Sequence, residues 1–104
     1  MARKPRTGPA ADPELLILLS LVDGPKHGYA IMADVEATTR TTLGPGTLYT
    51  AIGRLAEKEL IAPDGAAGRQ RPYRITTAGA ALLNEQLTDM RRIASLGLRR
   101  LRFA

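Results

Sequence analysis

The residues of this sequence that could do chemistry are small polar and basic side chains that follow a glycine-rich turn. Thr47, Thr50 and Arg54 recur at helical spacing after Gly44-Pro45-Gly46. Small side chains let a helix backbone come near the base edges of duplex DNA, and an arginine is long enough to reach a guanine or a phosphate. The glycines let the amides of the first helical turn approach a phosphate closely. The pattern predicts a helix that enters a major groove.

A second basic group lies at the tip of a predicted β-hairpin, where Arg69 and Arg71 flank Gln70. Cations at such a tip can pair with phosphates without disturbing the core. Within the hairpin sequence, Asp64 is the only acid that could neutralise them. We therefore favour phosphate contact over an ordinary solvated charge run.

Other positions are candidates for the same partner. Lys26 precedes the second predicted helix and is expected to hold a phosphate. Tyr49 either stacks or bonds against the DNA backbone or packs under the hairpin, and the sequence leaves both roles open. Basic residues near position 1 either enter a minor groove or form a solubilising tail; they are Arg3, Lys4 and Arg6. The predicted DNA-binding residues are thus Lys26, Gly46, Thr47, Tyr49, Thr50, Arg54, Arg69, Gln70 and Arg71.

The residue types needed for catalysis or metal binding are scarce. The sequence has no cysteine and a single histidine, His27, for which a capping or packing role is favoured over metal binding. No P-loop or dinucleotide-binding glycine motif occurs. The sequence therefore predicts no enzymatic activity, no cofactor and no metal site.

Composition favours a small basic domain. With 104 residues and a net charge of +5, the chain fits one domain that has a polyanionic partner. The longest apolar run, residues 15–22, is far shorter than the roughly 20 residues that cross a bilayer. Pro5, Gly8 and Pro9 stand where a signal peptide would place its apolar stretch. We expect a cytoplasmic protein with no membrane partner.

The elements that must position these residues follow from apolar periodicity and capping residues. Asp12 and Thr76 are predicted to cap the first and last helices. The predicted elements are helices over residues 13–22, 28–38, 47–59 and 77–103 and strands over 60–63 and 71–76. This order predicts a mainly α fold with a small β-hairpin, which is a winged helix-turn-helix followed by a long C-terminal dimerisation helix. The expected boundaries are a flexible basic arm over 1–11, a DNA-binding domain over 12–76 and a dimerisation helix over 77–104.

The last predicted helix carries a second signal. Its apolar residues are spaced four, three, four, three and four apart, as in a heptad seam; they are Leu83, Leu87, Met90, Ala94, Gly97 and Leu101. A helix of some 27 residues is about 40 Å long, which exceeds what a small winged core can cover. The first helix is apolar nearly all round, so Leu15 and Leu19 are also expected at a homodimer interface. The alternative is a last helix that folds back on its own domain.

Three stretches resemble the signature segments of PadR-type transcriptional regulators. They are Leu18-Leu19-Ser20-Leu21-Val22-Asp23-Gly24-Pro25-Lys26-His27-Gly28-Tyr29-Ala30-Ile31, Pro45-Gly46-Thr47-Leu48-Tyr49 and Tyr73-Arg74-Ile75-Thr76-Thr77-Ala78-Gly79. The resemblance implies a winged-helix dimer, usually a repressor, whose C-terminal helix pairs with the other subunit. It also implies release from DNA when a small-molecule effector or a partner binds, often at the dimer interface. Thr50 and Gly44 depart from the family pattern, which commonly has proline and serine there.

The sequence thus predicts a sequence-specific DNA-binding transcriptional regulator. Two recognition helices would lie about 34 to 36 Å apart on a pseudo-palindromic operator. The main alternative is a winged-helix protein-interaction module that does not bind DNA, and a membrane-surface protein is a weaker one.

Overall fold

The computed structural model describes residues 11–65 and 71–104. Its elements are α1 (Pro13–Ser20), α2 (Gly28–Thr39), α3 (Pro45–Glu57), β1 (Ile61–Pro63), β2 (Tyr73–Ile75) and α4 (Thr77–Arg102). The two strands form an antiparallel hairpin. The predicted class, mainly α with a winged helix-turn-helix and a long last helix, is confirmed.

Local capping chemistry fixes the ends of α1. The Asp12 carboxylate accepts a hydrogen bond from the Glu14 amide at 3.2 Å, and Pro13 occupies the first helical position. The α-helix ends at Ser20, two residues earlier than predicted, and a 3-10 turn covers Leu21–Asp23. Gly24 then takes a φ of 144°, a conformation open to glycine, and redirects the chain toward α2.

The core is built from the inner faces of all four helices and the hairpin. Ile17 and Leu18 of α1 are fully buried, as are Ile31 of α2 and Leu48 and Leu55 of α3. Each such aliphatic side chain contributes about 1.5–3 kcal/mol of transfer free energy on burial. These contacts hold α3 against α1 and leave the opposite side of α3 to solvent.

Two residues that were predicted at the dimer interface are buried in this core. Leu15 and Leu83 are only 6% and 4% exposed and pack within the protomer. A heptad seam and a core stripe have the same spacing on a helix, so the spacing alone does not separate the two roles. Leu83 therefore helps to attach α4 to its own domain.

The junction after α3 is a compact C-terminal cap. The amide of Leu60 donates to the Leu55 carbonyl at 2.9 Å, and the amide of Glu59 donates to the Ala56 carbonyl at 3.0 Å. This is a Schellman motif, in which Glu59 takes the left-handed φ of 60° that glycine adopts more readily. The motif turns the chain directly into β1.

The hairpin pairs Ile61 with Ile75 and Pro63 with Tyr73. A third segment joins it: the Lys26 amide donates to the Tyr73 carbonyl at 3.0 Å, and the Tyr73 amide donates to the Lys26 carbonyl at 2.9 Å. The loop between α1 and α2 is therefore tied to the hairpin, a pairing that the sequence did not predict.

Helix α4 begins on the hairpin and then leaves the core. The Thr76 hydroxyl accepts from the Gly79 amide at 3.0 Å, which confirms the predicted cap. Gly79 is required there, because a Cβ at this position would lie 2.1 Å from the Leu60 carbonyl oxygen. Beyond Met90, nearly every side chain of α4 is exposed. Among the described residues, no helix is both long and apolar enough to cross a membrane.

Candidate nucleic-acid interface

The solvent side of α3 carries the residues that the sequence assigned to DNA reading. Burial of Leu48, Ile52 and Leu55 fixes the rotation of this helix. Thr47, Thr50 and Arg54 are spaced three and four residues apart, so they lie on one side of α3, and all three are exposed. We call this surface the α3 face.

The first turn of α3 is open to a ligand. The helix begins at Pro45, two residues before the predicted start, so Gly46 lies inside the first turn. Gly44 is the N-cap residue and has no side chain to accept from the amides that follow it. A Cβ built on Gly44 or Gly46 would meet no atom of the described residues within 4 Å. A phosphate can therefore approach these amides without displacing any part of the described protein.

Tyr49 makes a contact that neither of its predicted roles includes. Its ring lies over the backbone of Gly28, the first residue of α2. A Cβ on Gly28 would lie 2.8 Å from the Tyr49 hydroxyl oxygen and 3.1 Å from its Cε1 and Cζ atoms. The side chain remains 56% exposed, so this packing covers only part of the ring.

Lys26 was predicted to hold a phosphate, but its ammonium group already has two acceptors within the chain. It donates to the main-chain carbonyl of Ser20 and, at 2.5 Å, to the carboxylate of Asp23. The hydrogen bond from Lys26, and then the charge of Lys26, hold the pKa of the Asp23 carboxyl below its ordinary value. Lys26 thus joins the end of α1, the turn at Asp23 and the hairpin, and a phosphate would have to compete with Asp23 for its charge.

The hairpin offers further basic side chains. Arg71 is exposed at the start of the returning segment. Arg74 lies close to Asp64, with 3.8 Å between Nε and Oδ1, so its charge is partly compensated. Arg69 and Gln70 lie outside the described residues.

A second exposed surface is apolar and runs along α4. We use the term α4 seam for the outer part of the predicted heptad pattern, Leu87, Met90, Ala94, Gly97 and Leu101. Leu87 and Met90 also line a groove of about 460 Å³ whose other walls are α1, with Leu16 and Leu19, and the end of α2. Leu101 is 73% exposed. The described residues of one protomer thus leave this surface without a cover.

The transcriptional regulator PadR-like family has a sequence profile that matches residues 17–85, more than half of the chain. The match extends from α1 through α3 and the hairpin into α4. The chain belongs to the PadR-like family.

Solved structures agree with this assignment. A PadR family transcription regulator from Clostridium difficile superposes with a TM-score of 0.75 at 26% identity, over 86% of this PadR-like chain and 97% of that one. A transcriptional regulator from Clostridium thermocellum shares the fold with a TM-score of 0.72 at 23% identity, over 84% and 87%.

One curated relative is an uncharacterised 37.1 kDa protein in a transposon of Streptomyces fradiae. It is 46% identical over 83 residues, which make up 80% of this PadR-like chain. The chain spans 24% of that relative's length.

The PadR-like family is a family of transcription regulators and not of enzymes, in agreement with the prediction from the sequence. His27 occupies the N-cap position of α2, although its side chain makes no capping hydrogen bond. No cluster of potential metal ligands occurs within residues 11–65 and 71–104.

Sequence reasoning missed a charge pair at the edge of the PadR-like chain's α3 face. The Lys58 ammonium donates to the Glu14 carboxylate at 2.8 Å. Lys58 follows Arg54 by four residues and so lies on the same side of the helix, which was visible in the sequence. The partner of Lys58 was not visible in the sequence, because Glu14 is 44 residues away in the chain and only the packing of α1 on α3 brings the two side chains together.

Proposed function

We propose that this PadR-like chain acts as a sequence-specific DNA-binding repressor in the form of a homodimer. The observation that carries the proposal is the α3 face. It presents Thr47, Thr50 and Arg54 beside a helix N-terminus that is open to a phosphate. Such a helix fits a major groove, with the small threonines near the base edges and Arg54 on a guanine or a phosphate. Arg71, and with it Arg69 and Gln70, would lie against the DNA backbone.

The α4 seam supports the dimer. Its Leu87, Ala94 and Leu101 are exposed in one protomer, and an uncovered apolar surface of this kind is typical of a protein interface. In the proposed arrangement, residues 77–104 pair with their counterparts, Leu19 and Leu87 add to the contact, and residues 12–76 of each copy bind one half-site. Since the two copies are related by a two-fold axis, the operator would be a pseudo-palindrome with half-sites about 34 to 36 Å apart.

Repression and its release are the parts of the proposal that come from the family resemblance. The groove beside α1, the end of α2 and α4 supports release by a small molecule, because its volume of about 460 Å³ falls within the range of ligand sites. An occupant there would contact Leu16 and Leu19 of α1 and Met90 of α4. Helices α1 and α4 connect the proposed dimer contact to the DNA-binding domain.

The test of the proposed function begins with DNA sequences selected by the protein from a randomised duplex library. Binding is then measured to a selected duplex and to a shuffled duplex of the same composition, over a series of salt concentrations. We expect tight binding to the selected duplex and a steep salt dependence on both. Binding to neither duplex would favour the protein-interaction module.

Two substitutions separate backbone contact from base reading. Arg71→Ala removes one phosphate contact from each subunit, and so two from the dimer; it should weaken binding to both duplexes and flatten the salt slope by about 1.8. We expect the same of Arg69→Ala. Thr50→Ala should change which sequence is preferred and leave the slope intact. Arg92→Ala on α4 is the matched control, and an equal effect of Arg92→Ala would contradict the assignment of the hairpin arginines.

A further inference from the structure

The contact between Tyr49 and Gly28 joins the first turns of α2 and α3. Gly28 is buried although it begins its helix, and the Tyr49 ring covers it. Any side chain at position 28 would overlap this ring, since a Cβ would come within 2.8 Å of the hydroxyl oxygen. Glycine at position 28 is therefore matched to tyrosine at position 49.

This contact lies on the side of α3 that faces α2. Helix α3 packs more extensively on α1 than on α2. The connection between α2 and α3 adds Leu43, which is buried, and Arg40, whose φ of 59° turns the chain. These anchors lie at the end of α2 that is opposite to Gly28. The Tyr49 ring therefore contributes to the angle between α2 and α3 near their N-termini, beside the buried core residues Ile31 and Leu48.

That angle matters for DNA reading. In helix-turn-helix proteins the first helix of the motif crosses the DNA backbone while the second enters the major groove. If the first turn of α3 moves relative to α2, then Thr47 and Thr50 shift against the base edges although every cation of the interface stays in place. A change of this kind alters sequence preference more than overall affinity, because phosphate contacts carry little sequence information.

We infer that Tyr49 is a positioning residue: its ring, packed on Gly28, sets the angle of α3 on α2 and so determines how sharply the protein discriminates between DNA sequences. This inference rests on the proposed function. It assigns Tyr49 a role through the protein rather than through a direct bond from its hydroxyl to DNA.

Four variants test the inference: Gly28→Ala, Tyr49→Ala, Tyr49→Phe and the Gly28→Ala/Tyr49→Ala double variant. For each, binding is measured to the selected and the shuffled duplex over a salt series, with the melting temperature and the oligomeric state as controls. Tyr49→Phe keeps the ring atoms that contact Gly28, so it should bind like the wild type. Tyr49→Ala and Gly28→Ala should each reduce the ratio of the two affinities by about tenfold for each half-site, the loss of one good base contact there, and so by about 100-fold for the dimer, at an unchanged salt slope.

The double variant decides whether the two residues act through one contact. Without the ring, a methyl group added at position 28 has nothing to displace, so Gly28→Ala should cost nothing further in the Tyr49→Ala background. Additive losses would overturn the inference. So would a Tyr49→Phe variant that loses as much as Tyr49→Ala, because the hydroxyl and not the packed ring would then carry the effect.

Two further outcomes are distinguishable. If Gly28→Ala does not fold, the Tyr49→Phe and Tyr49→Ala pair decides, since Tyr49 is more than half exposed and its truncation leaves the core intact. If the wild type itself fails to distinguish the two duplexes, the proposed function is wrong. A discriminating wild type whose variants do not follow the expected pattern overturns the positioning role alone.

Discussion

The α3 face and the α4 seam are both exposed surfaces of helices, but they differ in chemistry. The α3 face carries two threonines and an arginine, all of which water solvates well. The α4 seam is aliphatic: Leu87 and Leu101 stand in solvent with no polar group to bind water. A polar exposed surface can remain free until a ligand arrives, whereas an apolar one is stabilised by a protein partner.

The two surfaces are also built differently. Helix α3 is held along its whole length by Leu48, Ile52 and Leu55, so the α3 face is presented by a rigid support. Helix α4 is anchored through its first half: Gly79 and Leu83 are buried, and Leu82 and Met90 pack against the core. The turns of α4 beyond Met90 are largely exposed, so packing on the protomer's own core does not stabilise them. A rigid polar surface suits recognition of DNA, and an unsupported apolar helix suits pairing with a second copy.

The largest expected effect comes from Leu101→Asp, which places a charge in the α4 seam. Two carboxylates would be buried in the dimer without partners, so we expect the dimer dissociation constant to rise about 100-fold or more. Binding to the selected duplex should fall by a similar factor, because the second half-site is no longer tethered. Sedimentation and duplex titration measure the two quantities.

The control for this substitution is Leu96→Asp, which adds the same charge five residues earlier and so on another side of α4. It should leave the dimer and the DNA affinity nearly unchanged. Equal disruption by both variants would mean that the seam has no special role.

Arg54→Ala tests the other surface and should act on DNA without acting on the dimer. Loss of a bidentate contact with guanine costs about 1–3 kcal/mol in each half-site, so we expect affinity of the dimer for the selected duplex to fall roughly 30-fold or more. The change should be concentrated at one base pair of the half-site. Binding profiles over a set of singly substituted duplexes check this, and a uniform loss across the set would make Arg54 a phosphate contact instead.

Glu14→Gln should move DNA binding in the opposite direction by a smaller amount. It releases Lys58 from its 2.8 Å ion pair at the edge of the α3 face and leaves the helix intact. One additional cation on each subunit, and so two in the dimer, should steepen the salt slope by about 1.8 and tighten binding to both duplexes several-fold, which leaves the ratio of the two affinities nearly unchanged. Glu85→Gln on α4 removes the same charge without freeing a lysine. If Glu85→Gln steepened the salt slope as much as Glu14→Gln does, the change would come from net charge and not from the release of Lys58.

The smallest effect is expected where neither surface is touched. Glu59→Gly relieves a left-handed residue, which costs about 1–2 kcal/mol for a side chain, but it also adds unfolded-state entropy worth about 0.4–1 kcal/mol. The net gain in the free energy of unfolding should be up to about 1 kcal/mol, with unchanged DNA binding. Glu57→Gly, in the last turn of α3, should destabilise the protein by a similar amount. Denaturant titrations compare the two.

Local features of this fold could be predicted from the sequence because they depend on neighbouring residues. Asp12 and Thr76 cap the helices that follow them, as their hydroxyl or carboxylate oxygens reach amides only two or three residues away. Apolar spacing likewise located α3 and its outward residues. The start of α3 was displaced by two residues, because Pro45 and Gly46 fit a turn and a first helical turn equally well.

The sequence by itself determined the order of elements, the winged class and the residues of the α3 face, since periodicity and capping act over a few positions. Only the tertiary structure decided which partners those residues meet. In the folded chain Leu83 is buried in the core and Tyr49 packs on Gly28. Lys26 pairs with Asp23, and Lys58 pairs with Glu14. The physical reason is that such contacts join residues through the packing of whole helices, and equal spacing on a helix does not say which surface will cover it.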